Sequence, residues 1–207
     1  MDGELALDQP LPLKAAADTV GLLPHKEEVK NPTRQFSEAT RESLIAKGCK
    51  IIQVGSSGLT VEQKKDRLRS MSAGLISDQE IERLLFSWPE NSEYAILPEV
   101  ALEGSNNMTF DESTEQIDEF ASRFEQEVAG VSVRRGSVAE YVGIMHSQEK
   151  EKKSNPWNDI FVRTETIFQD RKGNDRNCFI INNFIDIADP AYKDENFKMV
   201  PLISPMT

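Results

Sequence analysis

A chain of 207 residues with 38% apolar side chains is long enough to build one sizeable domain around a real core. Its 24 basic and 35 acidic side chains leave a net charge of −11, which excludes non-specific nucleic-acid binding and docking on anionic lipid. Two cysteines far apart in the chain, Cys49 and Cys178, do not make a disulfide scaffold, and no apolar run approaches transmembrane length. The N-terminus has no signal-peptide pattern, so the expected location is cytoplasmic.

Residues 1–30 hold three prolines and no sustained period. They are expected to form an extended or partly disordered arm, with a single domain over 31–207. A helix is predicted next, with Asn31 as its cap, Pro32 in its first turn and Gly48 just past its end. The stretch CKIIQV then reads as a short strand. Four pairs have capping-box spacing: Thr60 with Gln63, Ser77 with Glu80, Thr109 with Glu112, and Ser137 with Glu140. Each predicts a helix start. The clearest helix follows Thr109, where Ile117, Phe120, Phe124 and Val128 form an apolar stripe.

EYAILPEVAL has strand composition, but Pro98 suggests an edge strand or two short pieces. The stretch AGVSVRRG predicts another strand. Beyond a charged loop, DIFVRTETIF and NCFIINNFIDI flank a polar segment containing Gly173, the pattern of an antiparallel hairpin. FKMVPLISP predicts a last strand, whose prolines favour an edge. Helices interleave early and strands cluster late. This predicts an α+β fold with a mostly antiparallel sheet, about five helices packed on it and a β-rich C-terminus.

Charge is uneven along the chain. Residues 92–127 hold ten acidic side chains and one basic, a net of −9, which suits a solvated helix face or a dock for a basic partner.

The turn Gly55-Ser56-Ser57-Gly58-Leu59-Thr60 stands between a strand and a helix, where phosphate often binds. It lacks the lysine of a Walker loop and the third glycine of the dinucleotide fingerprint. Gly55, Ser56, Ser57, Gly58 and Thr60 remain a candidate anion or nucleotide site, against the reading of an ordinary turn capped by Thr60. His25, His146 and the cysteines have no metal-ligand spacing, so no metal or cofactor is expected. His146 is expected at a surface or rim, and Trp88 and Trp157, each beside a proline, as wedges over the core.

The late hairpin offers more. Arg163 and Glu165 are two apart and should share a strand face. Asn182, Asp186 and Asp189 interrupt an apolar run. If the strands pair around the glycine turn, Arg163, Glu165, Asn182 and Asp186 could gather as a ligand-binding cluster, against the reading of a solvated face with cross-strand ion pairs. A shift of register would split that cluster.

No catalytic signature stands out. The leading expectation is therefore an accessory protein without catalytic activity that binds a protein partner, basic in character, or associates with itself. The alternatives are an enzyme or small-ligand-binding domain at the hairpin cluster, and anion binding at the Gly55–Thr60 turn.

Overall fold

The computed structural model describes residues 34–206, so the arm, His25, Asn31 and Pro32 lie outside the described residues. Helices α1 (Glu38–Ala46), α2 (Val61–Ser72), α3 (Asp78–Leu84), α4 (Phe110–Glu127) and α5 (Val138–Lys150) interleave with strands β1 (Lys50–Val54), β2 (Ser92–Ile96) and β3 (Val131–Arg135). Strands β4 (Phe161–Gln169), β5 (Asp175–Ile181), β6 (Phe184–Ala188), β7 (Phe197–Lys198) and β8 (Pro201–Pro205) complete the chain. The fold is α+β with a strand-rich C-terminus, as the sequence predicts. It contains two sheets where the sequence suggests one. Sheet 1 runs β1-β2-β8-β3, all antiparallel, and sheet 2 runs β6-β5-β4-β7, with only β7 parallel to its neighbour. No helix among the described residues is long and apolar enough to cross a membrane.

Helix starts follow the capping chemistry. Thr60, Thr109 and Ser137 each form a full capping box with the residue three further on, and Ser77 caps α3 with its own oxygen. The cap of α1 is Ser37, six residues beyond the expected Asn31. Buried Glu93 accepts from the Phe36 amide and from Arg41, and so fixes where α1 begins.

Strand alternation divides the interior into two cores. Ala95 and Ile203 of sheet 1 face α1 and α4, where they meet Leu44, Phe124 and Val131. Ile52, Tyr94, Ile96 and Leu202 face the other way, onto α5. Val162, Cys178, Ile180 and Ile185 approach that same core from sheet 2. Helix α5 therefore lies between the two sheets. Its residues Val138 through Met145 are all buried, and Gly143 lets Pro89 and Trp88 close on the helix, because a Cβ there would come within 2.4 Å of Pro89. Tyr141 donates to the Val200 carbonyl and meets Trp157 edge-on at 5.1 Å. Both tryptophans and both cysteines are buried, and burial pushes the Cys178 thiol up to about 12.

Two proline-based expectations are corrected. β2 and β8 are interior strands of sheet 1. Pro98 lies beyond the end of β2 and removes no ladder donor. In β8 the prolines stand at both ends, while the only register pair with β2 is Ala95 with Ile203 at the centre. The apolar run after Cys178 also breaks. Ile181 pairs with Phe184 across a tight turn in which Asn182 has φ +52°, so β5 and β6 are separate antiparallel strands.

Candidate functional site

The glycine turn is filled by the protein's own groups. Glu90 accepts from the Ser57 amide at 2.8 Å and from the Ser57 hydroxyl at 2.5 Å. Burial pushes the Glu90 pKa up, but the bonds from Lys64 and Ser57 outweigh it and hold the carboxyl below its ordinary value. The Thr60 amide goes to Gln63, while Lys150 and His146 donate to the Ser57 carbonyl. Glu90 thus takes both the amide and the hydroxyl of Ser57, within the turn that Gly55, Ser56, Gly58 and Thr60 complete. His146 is half-buried at this rim.

The hairpin cluster divides in three. Between Arg163 and Ile167, β4 advances four residues while β5 passes only from Phe179 to Asn177. This bulge carries Glu165 away from Arg163. The Glu165 amide donates to the Gly136 carbonyl at 2.8 Å, and its half-exposed carboxylate lies 3.6 Å from Arg134, beside the start of α5. Burial raises its pKa, and the nearby Arg134 opposes that. Asn182 sits in the β5–β6 turn and accepts from the Asp159 amide. Arg163 and Asp186 both register with Phe179 and so share one row across sheet 2, on the strands either side of β5 and without an ion pair between them.

Arg163 is only 2% exposed and has no carboxylate partner among the described residues. Its burial pulls the guanidinium down to about 10. It donates to the Tyr192 carbonyl at 2.8 Å, reaches Asn177 at 3.4 Å and stacks 4.5 Å above the Phe197 ring. Asn177, equally buried, donates to the Thr164 and Thr166 carbonyls that the bulge frees from the ladder. Thr166 in turn accepts from the Val138 amide in the first turn of α5. A continuous polar chain therefore runs from the buried helix through the bulge to the 190–192 loop.

That loop borders an open hollow of about 420 Å³ on the outer face of sheet 2. Its floor and walls are Phe161, Phe179, Phe197 and Tyr192, and its acidic lining is Asp186, Asp189 and Asp194. Phe197 lies at the centre, with Phe179 at 4.7 Å, Tyr192 at 5.8 Å and Phe161 at 6.4 Å, all tilted steeply against it. Each carboxylate uses one oxygen on a local amide: Asp186 on Ile187, Asp189 on Ala191, and Asp194 on Asn196. The Tyr192 hydroxyl also reaches Asp194 at 3.4 Å. None of the three has a basic partner among the described residues. Asp189 also borders a second hollow of about 400 Å³ that includes Asp111 and Asp175, so the acidic ground continues to the start of α4. Among the described residues, no three His, Cys, Asp or Glu side chains come close enough to hold a metal ion.

Comparison with known protein families, with curated proteins and with solved structures returned no match.

The aromatic lining and Asp194 are absent from the sequence-derived cluster. The signal was present: Phe161 alternates with Arg163, Phe179 with Ile181, and DPAYKDENF combines acids with two aromatic residues.

Two outcomes test this geometry. Asn177→Ala leaves two buried carbonyls and Arg163 short of partners, and should cost about 2–4 kcal/mol in urea denaturation; a loss within error would mean that water replaces the amide without penalty. The second concerns Glu112, which ties the loop to α4 through Lys193. The Lys193 bond, with help from the Thr109 amide, lowers the Glu112 pKa from 4.5 to about 2. A folded-state pKa below the unfolded one gives stability above pH 4.5 that disappears as pH falls toward 2. The melting temperature of the parent protein should therefore exceed that of Glu112→Gln at neutral pH, and the two should converge in acid. A gap independent of pH would contradict this.

Proposed function

We propose that this protein is a binding module, not a catalyst, and that it docks a positively charged protein partner on the outer face of sheet 2. The observation that carries this reading is the aromatic hollow lined by three carboxylates without basic partners among the described residues, Asp186, Asp189 and Asp194. A net charge of −11 and the acidic hollow reaching Asp111 and Asp175 add long-range attraction for a basic partner. Among the described residues, Cys49 and Cys178 are buried in separate cores and His146 is bonded at the glycine turn, away from this face.

Pairing through an open sheet edge has less support. Glu125 covers the Val133 amide on β3, and Asp186 covers the Ile187 amide on β6. Side-chain plugs of this kind blunt edge-to-edge association.

The test is fluorescence anisotropy with a labelled peptide of alternating Lys and Gly. Binding should weaken as salt rises. Asp186→Asn, Asp189→Asn and Asp194→Asn combined should weaken it by about tenfold or more. Glu115→Gln, Asp118→Asn and Glu119→Gln on the exposed face of α4 remove the same charge, and should change affinity by less than about twofold. Equal losses in both triple variants would reduce the effect to net charge and contradict the reading.

A further inference from the structure

We infer that the protein holds a second binding site, lined by no residue of sheet 2, that takes a small aromatic carboxylate. The site is a hollow of about 240 Å³ between the 3₁₀ turn Leu85–Ser87, the start of β2, the end of β3 and the first turn of α5. Its volume suits a small molecule.

The donors and acceptors of the lining set the charge of the occupant. The carboxylates are already committed. Glu140, 3% exposed, accepts from the Ser137 amide at 3.0 Å, the Tyr94 hydroxyl at 3.2 Å and two N–H groups of Arg134. Glu90 accepts from the Ser57 amide and hydroxyl and pairs with Lys64. Glu165, 3.6 Å from Arg134, does not line the hollow. Donors, by contrast, are left over. Arg34 lines the hollow with a guanidinium that has no carboxylate partner among the described residues. Arg134 commits three of its five N–H groups, two to Glu140 and one to the Arg135 carbonyl. Trp88, also in the lining, has a buried indole N–H without an acceptor among the described residues. Burial and Glu140 raise the Tyr94 pKa, while Arg134 and Arg34 both oppose them, so the two guanidinium groups converge on this hydroxyl. Surplus donors beside saturated carboxylates match an oxyanion, and a carboxylate presents two oxygens in one plane to a guanidinium fork.

The apolar part of the occupant follows from Phe86. It is 94% exposed and has no ring or cation partner among the described residues. Lys64 stands 5.7 Å over the Trp88 ring, so Phe86 is the aromatic face that remains open at this hollow. A ligand ring laid on Phe86 gains offset stacking while its carboxylate reaches the arginines.

Isothermal titration calorimetry with benzoate, benzamide, acetate and inorganic phosphate tests the site. Benzoate should bind. Benzamide keeps the shape without the charge and should bind about tenfold more weakly or worse. Acetate and phosphate keep the charge without the ring and should bind about three- to tenfold more weakly. Arg34→Gln should weaken benzoate by about tenfold, and Phe86→Ala should bring benzoate down to the level of acetate. Both side chains are exposed, so both variants keep the fold. Arg171→Gln removes the same charge at the exposed tip of the β4–β5 hairpin, and should change benzoate affinity by less than about twofold. Benzoate that fails to bind at about 10 mM, benzamide or phosphate that binds as tightly, or equal losses in Arg34→Gln and Arg171→Gln would each overturn the site.

Discussion

A helical stretch that is apolar almost all round must be covered on every side, and Val138–Met145 of α5 is such a stretch. Val138, Ala139, Tyr141, Val142, Ile144 and Met145 point around its full circumference, and each is buried. Each larger member of that set contributes on the order of 1.5–3 kcal/mol when removed from water. A single sheet can cover one face only. The two-sheet arrangement follows from this demand: sheet 1 covers one side, sheet 2 the other, and α2 and α3 fill the flank through Leu68, Met71 and Ile81.

The same helix sets the geometry of the hollow. Its one buried charge, Glu140, is fully occupied by the Ser137 amide, Arg134 and Tyr94. Its first free amide, at Val138, is met by Thr166, which fixes the bulge in β4 against the helix start. The bulge frees two carbonyls that only an inserted side chain can satisfy, and Asn177 satisfies both. Arg163 next to it reaches over to hold the loop that carries Asp189 and Tyr192. The outer pocket is thus shaped by requirements that begin in the core. Arg163 reads here as a positioning group: its charge is buried beneath the aromatic floor and directed at backbone carbonyls.

Much of the local structure was legible because it depends on neighbours in sequence. The capping pairs at Thr60, Thr109 and Ser137 need only residues three apart, and all three form as full boxes. The α4 stripe of Ile117, Phe120 and Phe124 is equally local. What could not be read depends on pairing between distant segments. Prolines in β8 suggest an edge, yet the strand is interior because its contact with β2 is confined to Ile203. The two-residue spacing of Arg163 and Glu165 implies a shared face, but the bulge changes the count between them, and nothing local to TETI announces a bulge. Asn31 had the composition of a cap; Ser37 won because Glu93, far along the chain, fixes the helix start. The residues of the hollow come from β4, β5, β6, the 189–196 loop and β7, so their meeting is a property of the sheet.

If α5 is the shared core of both sheets, the described domain unfolds as one unit, and the outer face of sheet 2 is a rigid platform. Native-state hydrogen exchange measures this directly. The slowest amides of β2, β5 and α5 should exchange with one common opening free energy and one common dependence on denaturant. Amides of β5 that open at lower free energy than those of β2, by more than about 2 kcal/mol, would show that sheet 2 separates from the helix and would contradict the account.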